Sequence, residues 1–307
     1  MTPLVLINLY MNKRVCLSLL FSILALLGYS QQVTGGDESM PVMSSHDTID
    51  YAKLCAHYKI WAVRDASADE KKYRTHEMIL QIGEKVSKFC DYLCFQNDSA
   101  TFSEMKSGLN KMVIFANQMS RARIAKRYYY EQVFKNFPEG NNTVLDNIVI
   151  KTYKYNEEMP NMNWTIVSEN TDTILGYVCG KATCEFRGRT YTAWYAPDIP
   201  VDDGPWKFHG LPGLILKVRE MAKDYYWLCT ALYQPTWKSP ISIKTEVKKT
   251  TYIKYHKAKK RAEEDPNALH ANDPNAKIRT PNGEWVLASE LNKGKYRPPY
   301  TPKELDW

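Results

Sequence analysis

No aspartate or glutamate occurs in the first thirty residues of this 307-residue chain, although 34 follow in the remainder. Beyond residue 30 no apolar run approaches the length of a bilayer-crossing helix, so no transmembrane helix is expected in the body of the protein. The signatures of the common hydrolases are missing as well. There is no G-x-S-x-G elbow, and His76-Glu77 opens an H-E-x-x-H pattern only to place Leu80 where the second histidine belongs. Phosphate-cradling loops are absent, since neither G-x-G-x-x-G ahead of a helix nor G-x-x-x-x-G-K-S/T is present. The short cysteine gaps, C-x-x-x-C and C-x-x-x-x-C, have no histidine partner nearby, which removes the usual structural zinc spacings. No internal repeat or low-complexity tract is visible.

What the N-terminus does contain is a basic pair, Lys13-Arg14, an almost wholly apolar run from Val15 to Leu27, and a small-residue exit at Gly28-Tyr29-Ser30. That order predicts a signal peptide over residues 1–30, cleaved near Ser30. The run is too short for an anchor, and Cys16 lies ahead of the exit, which disfavours a lipid-modified N-terminus. Met1 and Met11 are both candidate starts. An exported protein is therefore expected. Two of the 41 Lys and Arg and none of the acidic residues fall in this leader, so the remainder carries a net charge of +5. Such a mild excess gives no reason to expect nucleic acid as a partner. The most basic stretch, Lys244 to Arg261, is broken by Glu246 and followed by Glu263-Glu264-Asp265, which reads as a solvated face. Six cysteines follow the leader: Cys55, Cys90, Cys94, Cys179, Cys184 and Cys229. Disulfides are permitted in an exported chain, but order alone does not assign them.

Apolar and polar residues alternate along most of the chain, in segments bounded by Gly, Pro and Asn, which predicts a mainly β (α+β) protein. Strands are expected at Cys55–Arg64, Glu77–Ile82, Tyr128–Asn136, Asn147–Tyr155, Trp164–Glu169, Ile174–Phe186, Arg189–Tyr195, Leu214–Arg219 and Tyr225–Leu232. One helix is expected over Thr101–Ala125, where Phe102, Met105, Leu109, Met112, Val113, Ala116 and Met119 recur at helical spacing. The clearest hairpin spans residues 174–196, turning at Arg187-Gly188-Arg189. Parity places Cys179 and Cys184 on opposite faces of its first strand, which argues against a bond between them. Beyond about Ile243 the alternation dissolves, and residues 262–302 hold six prolines. The expected organisation is a leader (1–30), a β-rich body (31–245) and an extended C-terminal tail on the body (246–307).

The densest local signal is GPWKFHGLPGLILKV, residues 204–218. Leu211-Pro212-Gly213-Leu214 fits a type II turn, and Gly204-Pro205 marks a second corner. Leu214, Leu216 and Val218 then alternate with Ile215, Lys217 and Arg219, so a strand leaves the corner. Backbone geometry thus accounts for Gly204, Pro205, Gly210, Leu211, Pro212, Gly213, Leu214 and Ile215 without a bound phosphate. The run from Gly176 to Leu216 closely resembles the signature region of the GLPGLI family of exported Bacteroidota proteins. The likeness extends to Leu80–Gly83, Ser87–Phe89, Asn161–Trp164 and the closing PPYTPKELDW. It implies an exported, mainly antiparallel-sheet protein and names no chemistry.

Three constellations are candidates for function. Asp202, Asp203 and His209 around the Gly204-Pro205 corner could bind a metal or move protons, though Asp before Gly-Pro is also ordinary turn chemistry. Arg187 and Arg189 at the hairpin tip suit an anionic group, or simply solubilise an exposed turn. The aromatics Trp194, Tyr195, Trp206 and Phe208 could line a pocket, or form core. No cofactor is expected. The preferred reading is a non-enzymatic envelope protein. In it a strongly curved antiparallel sheet, closed by the helix and the signature loop, holds an apolar or amphipathic molecule or a partner protein. The alternatives are an enzyme centred on Asp202, Asp203 and His209, and a structural envelope component. Thr48, Ser99 and Thr173 sit in Asp-Ser/Thr-apolar tripeptides that resemble O-glycosylation acceptors of the same phylum, with Thr173 expected to be the least accessible.

Overall fold

The computed structural model describes residues 46–66, 70–124, 129–148, 151–264, 277–279, 284–287, 290 and 301–306. The expected leader and both candidate start methionines lie outside these residues. Among the described residues the strands are, in chain order, β1 (His46–Ala52), β2 (Leu54–Asp65), β3 (Lys72–Ile82), β4 (Ser87–Asp91), β5 (Gln132–Lys135), β6 (Asn141–Ile148), β7 (Lys151–Glu158), β8 (Thr165–Ile174), β9 (Tyr177–Phe186), β10 (Arg189–Ala196), β11 (Leu214–Glu220), β12 (Tyr225–Tyr233), β13 (Ser239–Lys244), β14 (Lys248–Lys249), β15 (Lys277–Arg279) and β16 (Trp285–Leu287). The helices among the described residues are α1 (Tyr92–Lys106), α2 (Lys111–Ile124) and α3 (Tyr252–Glu264). Twelve strands form one sheet in the order β14-β7-β6-β5-β4-β3-β2-β12-β11-β10-β9-β8, while β1 pairs with β13 in a separate ribbon. All these pairings are antiparallel except β14 with β7. The protein is mainly β, and its large sheet is not closed into a barrel.

The sheet curls. Nine strand-to-strand steps separate β7 from β9, which would span about 43 Å in a flat sheet. Yet Arg187, directly after β9, places its guanidinium 2.6 Å from Glu157 of β7. The main core lies inside this curl, where Tyr58, Ile60, Met78, Leu80, Val144 and Tyr155 from one half meet Phe186, Tyr191, Val218 and Trp227 from the other. A second, smaller core covers the outer face of β3 to β6, with Ile79, Cys90, Phe134 and Leu145 under Ile241 and Ile243 of β13. Tyr92 and Phe95 of α1 pack against this outer core.

Several expectations need correcting. The single helix over Thr101–Ala125 is two helices, because Ser107 and Gly108 end α1: Leu109 N–H bonds back to Glu104 O at 3.2 Å, Gly108 N–H bonds to Met105 O at 3.1 Å, and Gly108 takes φ +75°. Asn110 then caps α2 through Met112 N–H. Much of the apolar stripe predicted to face the sheet, including Met105, Met112 and Val113, is exposed, and α1 leans on the outer face rather than closing the inside. The tail is not wholly extended either, since α3 packs Tyr255 and His256 inward and leaves Lys254, Lys257 and Lys260 in solvent. The strand expected at Asn147–Tyr155 straddles the β6–β7 hairpin, and Ile174 closes β8, turning through Leu175 and Gly176 at φ +52° and +84°. At the next hairpin the expected turn stands: Arg187 and Gly188, at φ +52° and +75°, form the two-residue loop suited to a right-twisted ribbon.

Candidate functional site

The connection from β10 to β11, residues 197–213, runs into the curl rather than over the surface. Trp206, Lys207 and Phe208 at its centre have no exposed surface. Trp206 stacks on Trp227 with centroids 6.1 Å apart, and Phe208 meets Tyr191 and Trp227 edge-on at 4.9 and 5.5 Å. Of the four aromatics read as pocket lining or core, Trp206 and Phe208 are therefore core, as is Tyr195, whose ring lies against Gly180. Backbone bonds lace the plug to its stems, from Leu214 N–H to Ile199 O at 3.0 Å and from Ile215 N–H to Asp203 O at 2.9 Å. The corner at Pro212 is tighter than a type II turn: Gly213 N–H bonds to Leu211 O at 2.7 Å, a three-residue γ-turn, and Gly213 lies at φ +147°.

The carboxylates beside the corner are engaged by their surroundings. Asp202 accepts the Gly210 N–H, and Asp203 accepts the Gly204 N–H at 2.7 Å while pairing with the buried Lys135 ammonium. Lys135 also donates to Gly204 O at 2.5 Å, so it pins the plug from β5. Burial lowers the Lys135 pKa, opposed by the Asp203 charge. His209 gives its carbonyl to Trp164 Nε1–H at 2.7 Å, and burial with Lys135 nearby pushes its imidazole below the ordinary value. Among the described residues no group of three or more His, Cys, Asp or Glu is placed to share a metal ion.

Lys207 is the residue that the sequence reading passed over. Its ammonium meets Glu157 at 2.5 Å and Glu304 at 2.6 Å, and Glu304 is itself 3.0 Å from His256 Nε2 of α3. Arg187 joins the same cluster, contacting Glu157, Glu304 at 3.4 Å and Asp306 at 3.1 Å, with its guanidinium 4.6 Å above the Tyr252 ring. Arg189 is buried against Asp224 at 3.0 Å and donates to Pro302 O at 2.7 Å. The two arginines are thus not an exposed, charged tip. They tie the closing segment 301–306 across the curl, and Leu305 N–H bonds to Arg187 O at 2.9 Å. A cavity of about 220 Å³ beside this strap is lined by mixed charge, including Arg74, Glu131, Asp146 and Lys303.

The larger concavity is on the outer face. A groove of about 460 Å³ is lined by Trp61, Tyr73, Trp194, Lys217, Arg219, Lys223, Tyr225 and Tyr226. Strand parity places it there: Tyr58, Ile60, Trp227 and Val218 point inward, so Trp61, Tyr226, Lys217 and Arg219 point out. Trp61 and Tyr226 are directly paired, with ring centroids 5.0 Å apart, and Lys217 Nζ sits 3.8 Å from the Trp194 ring. The rim is fixed: Tyr73 donates to Lys223 O at 2.7 Å, and Glu220 accepts the Ala222 and Asp224 N–H groups at 3.0 and 2.8 Å. Of the six expected ligand residues, only Trp194 lies here. The signal for the others was cross-strand register, invisible until β2 and β12 are known to be neighbours.

The thiols of Cys55, Cys179, Cys184 and Cys229 are free and buried. Burial pushes them up, to about 11 for Cys55 and about 12 for Cys184 and Cys229, which disfavours the thiolate form. Thr48 and Thr173 are exposed and Ser99 is half-buried, so Thr173 is more accessible than its strand position suggested.

A family model described as a protein of unknown function (Porph_ging) matches residues 184–217, the hairpin tip, the plug and the start of β11. No curated protein matches the chain. Among solved structures it is similar to PNGF-II in two crystal forms, each at 12% identity over 67% of this chain, with TM-scores of 0.43 and 0.42. The chain spans about a third of the length of those structures, covering 33% and 32% of them. No described helix is long and apolar enough to cross a membrane.

Proposed function

We propose that this is an exported envelope protein that binds a small amphipathic ligand, without chemistry of its own, in the outer-face groove. The leader supports export. The preformed 460 Å³ groove, with half-buried aromatic faces turned outward and a rim held by hydrogen bonds, is the observation that carries the binding role. The inside of the curl, where a ligand was first expected, is occupied by Trp206 and Phe208. Asp202 and Asp203 serve the corner and Lys135, which supports a structural role for them over an acid–base one.

Native mass spectrometry of protein purified from its own source tests this. A retained adduct is expected on the wild type and not on the Trp61→Ala/Trp194→Ala double variant, with circular dichroism unchanged. An adduct held equally by both, or none on repeated preparations of the folded protein, contradicts the proposal.

A further inference from the structure

Resting on the reading of the groove as a binding site, we infer that its ligand is an acidic oligosaccharide. Among the described residues the eight that line the groove comprise five aromatics, of which Tyr225 is buried in the core, and three cations, with no carboxylate. The cations stand beside the rings: Lys217 over Trp194, with Lys59 5.4 Å from Trp61 and Lys181 5.9 Å from Trp194 continuing the pattern beyond the groove. A ligand matching this pattern has flat faces of C–H bonds and anionic groups along its edge. That is the chemistry of a pyranose chain bearing carboxylate or sulfate, whose C–H faces stack on indole while its anions meet forked or ammonium donors.

The neighbouring ladder supplies the remaining contacts. Pairing runs Thr75–Trp61–Tyr226–Arg219–Thr192–Thr183 across six strands, so hydroxyl side chains flank the aromatic and cationic centre on both sides. Neutral hydroxyls suit the hydroxyl groups of a sugar. Trp61 on β2 and Trp194 on β10 lie three strand steps apart, about 14 Å, which a chain of several sugars spans and a single one does not.

A polynucleotide is the less favoured occupant. Single-strand binding depends on a dense basic track, whereas among the described residues three cations line the groove and Lys217 is shared with Asp172. The Trp61 and Tyr226 rings are also tilted by 39°, which leaves no parallel slot for a base.

The test is calorimetric titration of the full-length protein with a galacturonate hexasaccharide, a heparin hexasaccharide, cellohexaose and oligothymidylate. At least one acidic hexasaccharide is expected to bind about tenfold tighter than cellohexaose and than oligothymidylate. Arg219→Gln with Lys223→Gln, both exposed positions, should remove about tenfold of that affinity and leave unfolding unchanged. Equal binding of cellohexaose, tighter binding of oligothymidylate, or wild-type affinity in the double variant overturns the inference. If no probe binds while the native adduct persists on the wild type and is lost from the tryptophan variant, this inference falls and the groove stands. If the adduct is absent as well, both fall.

Discussion

Gly213→Val is expected not to accumulate as a folded protein. A Cβ at Gly213 would lie 2.2 Å from Ala196 O and 2.6 Å from Ala196 C, both backbone atoms at the end of β10 with no freedom to move aside. The φ of +147° adds conformational strain that a β-branched residue bears worst. Clash and strain together cost at least about 3 kcal/mol, a large share of the stability of an ordinary domain. Gly140→Ala provides the comparison, because φ is +74° there but nothing lies within 4 Å of the added carbon. Only about 1 kcal/mol should be lost at Gly140. Soluble yield and denaturant midpoints of the two variants separate the cases, and a stable Gly213→Val would overturn the account of the corner.

Lys207→Met is expected to lower the unfolding free energy by about 3 kcal/mol, because Glu157 and Glu304 would lose the buried ammonium between them and be left with Arg187 to offset both charges and His256 beside Glu304. For a chain of this size that corresponds to a fall in Tm of about 10 °C. Adding Glu157→Gln and Glu304→Gln to Lys207→Met removes the stranded charge and should recover part of the loss. The cluster also gives the fold an expected dependence on pH. Burial pushes the Glu304 carboxyl up, but the Lys207 ammonium and His256 outweigh it and hold the carboxyl at about 2, below its ordinary 4.5. A folded-state value below the unfolded one means that the stabilisation is complete above about pH 4.5 and is lost as the pH falls toward 2, about 3 kcal/mol in all. Glu157 runs the other way, since burial raises its carboxyl and its protonation is favoured in the folded state. Thermal unfolding from pH 5 to pH 2 should therefore decline more steeply for the wild type than for Glu304→Gln. Parallel profiles, or a Lys207→Met variant as stable as the wild type, would contradict the assignment.

The parts legible in the sequence were those with local causes. The Arg187-Gly188 hairpin, β2, β11 and β12 follow from alternation and turn residues within a dozen positions. The boundary between β6 and β7 is hidden in the sequence because no Gly, Pro, Asn or Asp stands between Ile148 and Lys151 to signal a turn. The break between α1 and α2 was signalled by Ser107-Gly108, but an unbroken apolar spacing on both sides of it suggested one helix. In α3 the charge run hid Tyr252, Tyr255, His256 and Lys259, whose helical spacing follows the cap at Thr251. The least legible feature is the most consequential. Lys207 lies between two aromatics that must be buried, and only the curl that brings β7 and the C-terminal strap together supplies its carboxylates.

Amide hydrogen exchange along residues 204–216 tests most directly whether the signature segment is interior framework. The amides of Phe208, Leu214 and Ile215 should be as strongly protected as those of β2 and β12, since they bond to carbonyls inside the plug and are released only when the curl opens. Rapid exchange at these three positions, with the strands still protected, would show a loop open to solvent and contradict the account.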